Sequence, residues 1–243
     1  MAFTEKNSGR AVNDDRIMVD KQVILTGSCE GIAADTLVAV VCDGVGGERH
    51  GDYAAQLSAE RFRDFDPEGE ILSDIIRNMA DANEQIMKKQ ETDPEYLRMA
   101  TTLAGIVIRG TEYYVFNVGD TRVYGACPEK LICLSEDHTR ARELKIHAKN
   151  RTVKIPGFYS NIITRYIGGT GNACTPFIGV HNLKKGAIFM LCSDGAYKSF
   201  PEENLEHILT GKDPLQDKYD NIVRRLRESS HRDDKSFILL ECA

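Results

Sequence analysis

The apolar residues of this chain change period twice, and that order restricts the folds open to it. An unbroken run from Leu37 to Cys42 has the length of a buried strand. Helical spacing then takes over. Ala54, Ala55, Ser58, Phe62 and Phe65 line one side of residues 51–65, and Ile71, Leu72, Ile75, Ile76, Met79, Ala82 and Ile86 line one side of 69–90. Strand-like runs return at 102–108, 113–118, 123–127 and 131–134, broken by turns at Arg109-Gly110-Thr111-Glu112 and Gly119-Asp120-Thr121. They predict a four-stranded meander in a sheet with one buried face. Strands at 176–180 and 187–192, helices from Pro201 and over 214–229, and a last strand from Ser236 to Cys242 complete the order. Before Leu37 there are only short strands at 17–19 and 23–27, after a polar start over 1–16. No stretch reads as a linker or a repeat. One α+β domain over 1–243, with helices outside a β core, follows. Residues 140–160 are polar and irregular, with Arg140, Arg142, Lys145, Lys149, Arg151 and Lys154, and read as a helical turn plus a flap-like insertion.

Charge and cysteine usage narrow the function classes. A net charge of -6 argues against a nucleic-acid partner, because phosphate contacts draw on a surplus of Lys and Arg. No apolar run reaches the length of a membrane span, and the polar Met1–Arg10 start is no signal peptide, so a cytoplasmic protein is expected. The seven cysteines include no C-x-x-C pair. Cys42, Cys133, Cys192 and Cys242 lie in apolar runs and read as buried thiols of a reducing compartment. No Cys is followed by an Arg at C-x5-R spacing, so no cysteine-based phosphate loop is present.

The acids carry the chemistry. Asp43 ends the buried run and precedes Gly44-Val45-Gly46-Gly47, and Asp194 ends a second apolar run before Gly195. Asp14 and Asp15 stand just before one strand and Asp233 just before the last; Asp120 sits in a Gly-Asp turn. Carboxylates at strand ends, without His or Cys at ligand spacing, favour hard divalent cations over zinc. Read singly, Asp43-Gly44 is an ordinary turn at a strand end.

Taken in order, Arg10 to Asp15, Asp43 to Gly47, Asn117 to Arg122, Glu136 to Thr139, Ser193 to Gly195 and Asp233 to Ser236 resemble the motifs of the type-2C metal-dependent serine/threonine protein phosphatases, in the bacterial-like branch. The resemblance implies a four-layer α-β-β-α sandwich, two mostly antiparallel sheets flanked by helix pairs. It implies two Mn2+ or Mg2+ ions, with Asp43 bridging them, Asp194 and Asp233 on one, and the Gly44 carbonyl on the other with Asp14 beside it through water. Asp15 would support the ligands from behind, and Asp120 would do so or join a third cation. Arg10 would hold the phosphate, and a hydroxide shared by the two cations would attack phosphorus, making Arg10 and Asp43 the catalytic pair. Phosphorylated proteins, a Ser/Thr kinase acting in the opposite direction in signalling, and a monomer are the implied setting. Two alternatives keep the same residues: a non-catalytic phosphoprotein-binding pseudophosphatase, and a small-molecule phosphomonoesterase.

Three departures from the family pattern stand out. Val45 takes a position where some members have a histidine, so no side-chain acid is expected there for the leaving group. His50, further on, reads as an exposed residue at a helix entry. Lys198 stands four residues after Asp194, where an acid is usual, and its ammonium argues against a tightly held third cation. Asp234 replaces an asparagine and is expected to pair with Arg232 or Lys235, or to alter metal affinity.

Overall fold

A computed structural model describes residues 1–32, 36–45, 50–127, 130–148 and 154–242. Gly46, Gly47, Lys149 and Arg151, singled out above, lie outside them. Among the described residues twelve strands form two six-stranded sheets, and every strand pairing there is antiparallel. One sheet runs β4 (Gly27–Cys29), β1 (Ala2–Glu5), β12 (Lys235–Glu241), β11 (Ile188–Cys192), β8 (Arg122–Cys127), β9 (Lys130–Cys133). The other runs β10 (Phe177–Asn182), β7 (Glu112–Val118), β6 (Leu103–Arg109), β5 (Thr36–Asp43), β2 (Asp15–Val19), β3 (Gln22–Ile24).

The expected four layers are present. Alternate side chains of both sheets meet in a central layer that includes Ile17, Ala39, Val41, Ile106, Val115, Phe189, Leu191 and Ile238. Their opposite faces are covered by helices. Met18, Val40, Cys42 and Phe116 pack under α1 (Gly51–Arg63) and α2 (Ile71–Thr92). Met190, Cys192, Phe237 and Leu239 pack under α5 (Glu202–Thr210) and α6 (Leu215–Glu228). Neither α1 nor α2 has a side-chain N-cap. Their stability therefore comes from packing: Ile75, Met79 and Ile86 are almost wholly buried, each contributing about 1.5–3 kcal/mol by removal from water.

Several expectations need correction. The four-strand meander is split between sheets, β6 and β7 in one and β8 and β9 in the other. The chain changes sheet at Gly119-Asp120-Thr121, which brings Asp120 to the junction between them. The polar-looking start contains β1, whose Ala2 and Phe3 are buried and whose neighbours are β12 and β4. Residues 22–29 make two strands, β3 and β4, in different sheets. Among the cysteines, all free, Cys42 and Cys192 are buried as expected; Cys242 is half-buried and Cys133 is exposed, because β9 is an edge strand. The described part of the flap holds α3 (Arg140–His147), capped by Thr139, and a 3-10 turn at Gly157–Asn161. No helix of the described residues is long and apolar enough to cross a membrane.

Candidate active site

Antiparallel pairing gathers the acids at one end of both sheets. β5 ends where β2 begins, and the register sets Asp43 directly opposite Asp15. In the other sheet β11 ends where β12 begins, with Cys192 opposite Phe237, so Asp194 and Asp233-Asp234 emerge together. Asp120 joins them through the crossing turn, which His138 Nδ1 fixes by accepting the Gly119 N–H at 3.2 Å.

The backbone at Asp43 is held from several directions. Its carbonyl accepts from the Thr102 N–H at 2.8 Å and the Thr101 hydroxyl at 2.9 Å. The Gly44 N–H donates to the Asp14 carbonyl at 3.1 Å, and Val45 N–H to Ala100 at 3.0 Å. A Cβ on Gly44 would run into the backbone of Gly51 at the start of α1 and into the Asp14 carbonyl, so the close approach of strand and helix demands glycine.

The charges of the cluster are not balanced. Burial first, then the neighbouring Asp15, Asp194, Asp233 and Asp120, hold the Asp43 carboxyl well above the usual carboxylate range. Burial pushes Asp120 up to about 7, with Asp194 adding to the rise and Lys198 opposing it. Asp15, 1% exposed, is pushed up to about 8, again chiefly by burial, although hydrogen bonds from Ser236 and Ser193 pull the other way. The Ser193 hydroxyl lies 2.8 Å from Asp15 Oδ2, which ties β2 to the residue before Asp194 and couples the two sheets.

Two cationic side chains take up part of the surplus. Arg10 Nη1 reaches Asp14 Oδ2 and Nη2 reaches Asp233 Oδ1, both at 2.5 Å, and Nη1 lies 3.4 Å from Asp234 Oδ2. Burial works against the guanidinium charge, but Asp233, Asp234, Asp14 and Asp43 more than offset it and raise its pKa. Lys198 Nζ donates to Asp194 Oδ2 at 2.7 Å and to Asn161 Oδ1 at 3.1 Å. With Asp14 and Asp233 turned to Arg10 and Asp194 turned to Lys198, no three His, Cys, Asp or Glu side chains among the described residues close around one point as ligands. Asp43 has no ion-pair partner among the described residues. An all-oxygen donor set around an uncompensated carboxylate suits hard divalent cations, and the residues fit that group.

The structure brings together Arg10, Asp14, Asp15, Asp43, Gly44, Asp120, Asp194 and Asp233. His50, expected to be exposed, is half-buried at the entry to α1 and away from the cluster: it stacks on Tyr96, ring centroids 4.2 Å apart, and lies 3.3 Å from Glu95. Asp234 departs from expectation. It pairs with neither Arg232 nor Lys235; its carboxylate accepts the Asn7 and Asp14 backbone N–H groups, each at 2.7 Å. Sequence reading missed this role because the partners are backbone groups more than 200 residues away, although the acid in place of asparagine marked the position. It also missed Asn161, which only the fold brings to Lys198.

The sequence pattern of the family described as Protein phosphatase 2C matches residues 26–235. The serine/threonine phosphatase Stp of Listeria welshimeri is 28% identical over 223 residues, covering 84% of each chain. The crystal structure of the serine/threonine phosphatase Stp1 from Staphylococcus aureus superposes with a TM-score of 0.82 at 21% identity, over 100% of this chain and 94% of that one. A PstP catalytic domain in complex with 2 manganese ions has the same fold, with a TM-score of 0.79 at 20% identity over 100% and 97% of the two chains.

Proposed function

The chain belongs to the protein phosphatase 2C family, and from that premise we propose that it hydrolyses phosphoserine and phosphothreonine in proteins with two Mn2+ or Mg2+ ions. The observation that carries this reading is the Asp43 carboxylate facing Asp15, Asp120, Asp194 and Asp233 beside the Arg10 guanidinium. Asp14, Asp43, Asp194, Asp233 and the Gly44 carbonyl are the groups that would hold the cations. Bound there, divalent cations lower the pKa of water and offset charge on phosphoryl oxygens. Arg10 supplies a planar fork that can exchange its carboxylate partners for two phosphate oxygens, orienting phosphorus and stabilising charge that builds on it. Asp15 stays behind the ligands and keeps Ser193 and Asp43 in register. Val45 offers no proton, and burial followed by Arg165 lowers His138 to about 4, so neither serves as an acid at neutral pH. Leaving-group protonation then falls to water or to another residue.

The test is hydrolysis of p-nitrophenyl phosphate and a phosphothreonine peptide with Mn2+, compared with sugar and nucleotide phosphates. Activity that survives a chelator would overturn the metal-dependent reading; preference for the metabolites would redirect it to a small-molecule phosphomonoesterase. A cytoplasmic monomer opposing a Ser/Thr kinase is the setting we infer.

One observation favours the pseudophosphatase reading: Lys198 already holds Asp194 and also faces Asp120 and Asp43. As an ammonium tethered by Asn161, it would stand in for a third cation. Titrating Mn2+ by calorimetry is expected to give two ions for the wild type and an additional weaker one for Lys198→Asp. No binding by the wild type at micromolar Mn2+ would support the non-catalytic alternative.

A further inference from the structure

The loop between β1 and β2 carries Arg10 and Asp14, and among the described residues the backbone around Arg10 is bonded only to near neighbours in the chain. Arg10 N–H donates to the Asn7 carbonyl at 3.0 Å, and the Lys6 ammonium donates to the Arg10 carbonyl at 2.9 Å; the latter contact is exposed. The two ends of the loop are also held from elsewhere: the Gly44 N–H donates to the Asp14 carbonyl at 3.1 Å, Asn7 Nδ2 donates to the His231 carbonyl at 3.4 Å, and one side chain reaches both ends. Asp234 Oδ1 accepts the Asn7 N–H and Asp234 Oδ2 accepts the Asp14 N–H, each at 2.7 Å, and Oδ2 also lies 3.4 Å from Arg10 Nη1. This side chain is 1% exposed. Its backbone is equally fixed, because the Asp234 carbonyl packs so closely over Gly195 that a Cβ there would overlap it. Asp234 therefore joins the arginine loop to the segment that carries Asp194, and it sits next to Asp233 in the chain.

The chemistry of the donors explains why this position holds an acid. Both are backbone N–H groups, and they approach different oxygens. A carboxylate accepts at both oxygens. An asparagine amide accepts at one and presents its own NH2 at the other, leaving one buried N–H facing a second donor. The cost of that mismatch falls on one end of the loop and displaces the guanidinium that lies between the ends.

We infer that Asp234 is a positioning residue for Arg10: one buried carboxylate closes the 7–14 loop at both ends and aims its guanidinium at the place the phosphate occupies. The inference rests on the phosphatase reading above. Asp234 touches no substrate itself; it acts through Arg10, and that dependence is what distinguishes it from a residue that only stabilises the fold.

The test is a double-mutant cycle on the Mn2+-loaded enzyme, read as the competitive inhibition constant of orthophosphate against p-nitrophenyl phosphate. Asp234→Asn is expected to raise that constant about tenfold, the scale of one lost hydrogen bond to a charged group. Arg10→Ala raises it as well. The double variant is expected to match Arg10→Ala alone, since a misplaced loop matters to phosphate only through the guanidinium. An unchanged constant in Asp234→Asn, or the same tenfold rise in the Arg10→Ala background, overturns the proposal. If Asp234→Asn fails to fold, Asp234→Glu, which keeps both oxygens but moves them by one methylene, is taken through the same cycle, and the same two results support or overturn the proposal. A wild type without Mn2+-dependent hydrolysis overturns the phosphatase reading and the proposal with it. An active wild type with an additive cycle overturns the role of Asp234 alone.

Discussion

Asp43→Asn is expected to lower the Mn2+-dependent rate at least about a thousandfold while raising the thermal midpoint of the protein in chelator at pH 8. The first effect removes the carboxylate on which the cation site centres; a thousandfold corresponds to about 4 kcal/mol at 1.36 kcal/mol per factor of ten. The second follows from the crowding of acids. Burial and then Asp15, Asp194, Asp233 and Asp120 hold the Asp43 carboxyl well above its ordinary value of 3.8, while Asp120 and Asp15 are raised to about 7 and about 8. Between about pH 4 and pH 8 the folded chain therefore binds more protons than the unfolded one, and the stability of the cation-free protein falls as pH rises through that window. Removing one member of the cluster flattens the fall. The midpoint gain is a few degrees at pH 8, at about 2–4 °C per kcal/mol for a chain of this size, and vanishes near pH 4. Differential scanning fluorimetry across pH with a chelator checks it. A lower midpoint at pH 8, or a variant that keeps a tenth of the wild-type rate, would contradict this account of the site.

Gly195→Ala is expected to destabilise the protein by about 3 kcal/mol, or roughly 6–12 °C. An added Cβ would overlap the Asp234 carbonyl and lie 3.0 Å from Asp233 Cβ. The Asp234 carbonyl is main chain, immediately before β12, and has no side-chain torsion with which to yield. The same displacement would shift Asp233 and the Asp234 carboxylate, so activity should fall further than the lost folded fraction explains. Gly157→Ala is the control, because nothing lies within 4 Å of its Cβ position, and it should leave the midpoint unchanged. Equal midpoints for Gly195→Ala and Gly157→Ala in thermal denaturation would show that the 233–234 segment can move aside.

The parts legible in the sequence were those encoded locally. Leu37–Cys42 has no polar residue to place on a solvent face, so it reads as a buried strand without reference to the rest of the chain. Ile71, Ile75, Met79, Ala82 and Ile86 repeat at helical spacing and are buried in α2, whereas Leu72 and Ile76, expected in the same line, sit one position round the helix and are exposed. Glycines after Asp43 and Asp194 mark close backbone approach at both strand ends. In contrast, β1 escaped notice because four residues, Ala2-Phe3-Thr4-Glu5, make too short a pattern; β12 and β4 on either side, not periodicity, make it a strand. The meander was misassigned for a similar reason. Alternation says which face of a strand is buried, but both sheets here bury both faces, so nothing local records that the chain changes sheet at Gly119-Asp120.

By itself the sequence determined which residues are strands and helices over most of the chain, that hard-cation chemistry was available, and, through the order of six weak motifs, the family. Tertiary structure alone decided which atoms answer one another. It set Asp15 opposite Asp43, turned Lys198 to Asn161, and gave Asp234 to the backbone of Asn7 and Asp14 rather than to the cations adjacent in sequence. The reason is one of range. Propensity and periodicity act over a few residues, whereas the charge balance of a buried site is settled by groups that the chain brings together from more than two hundred residues apart.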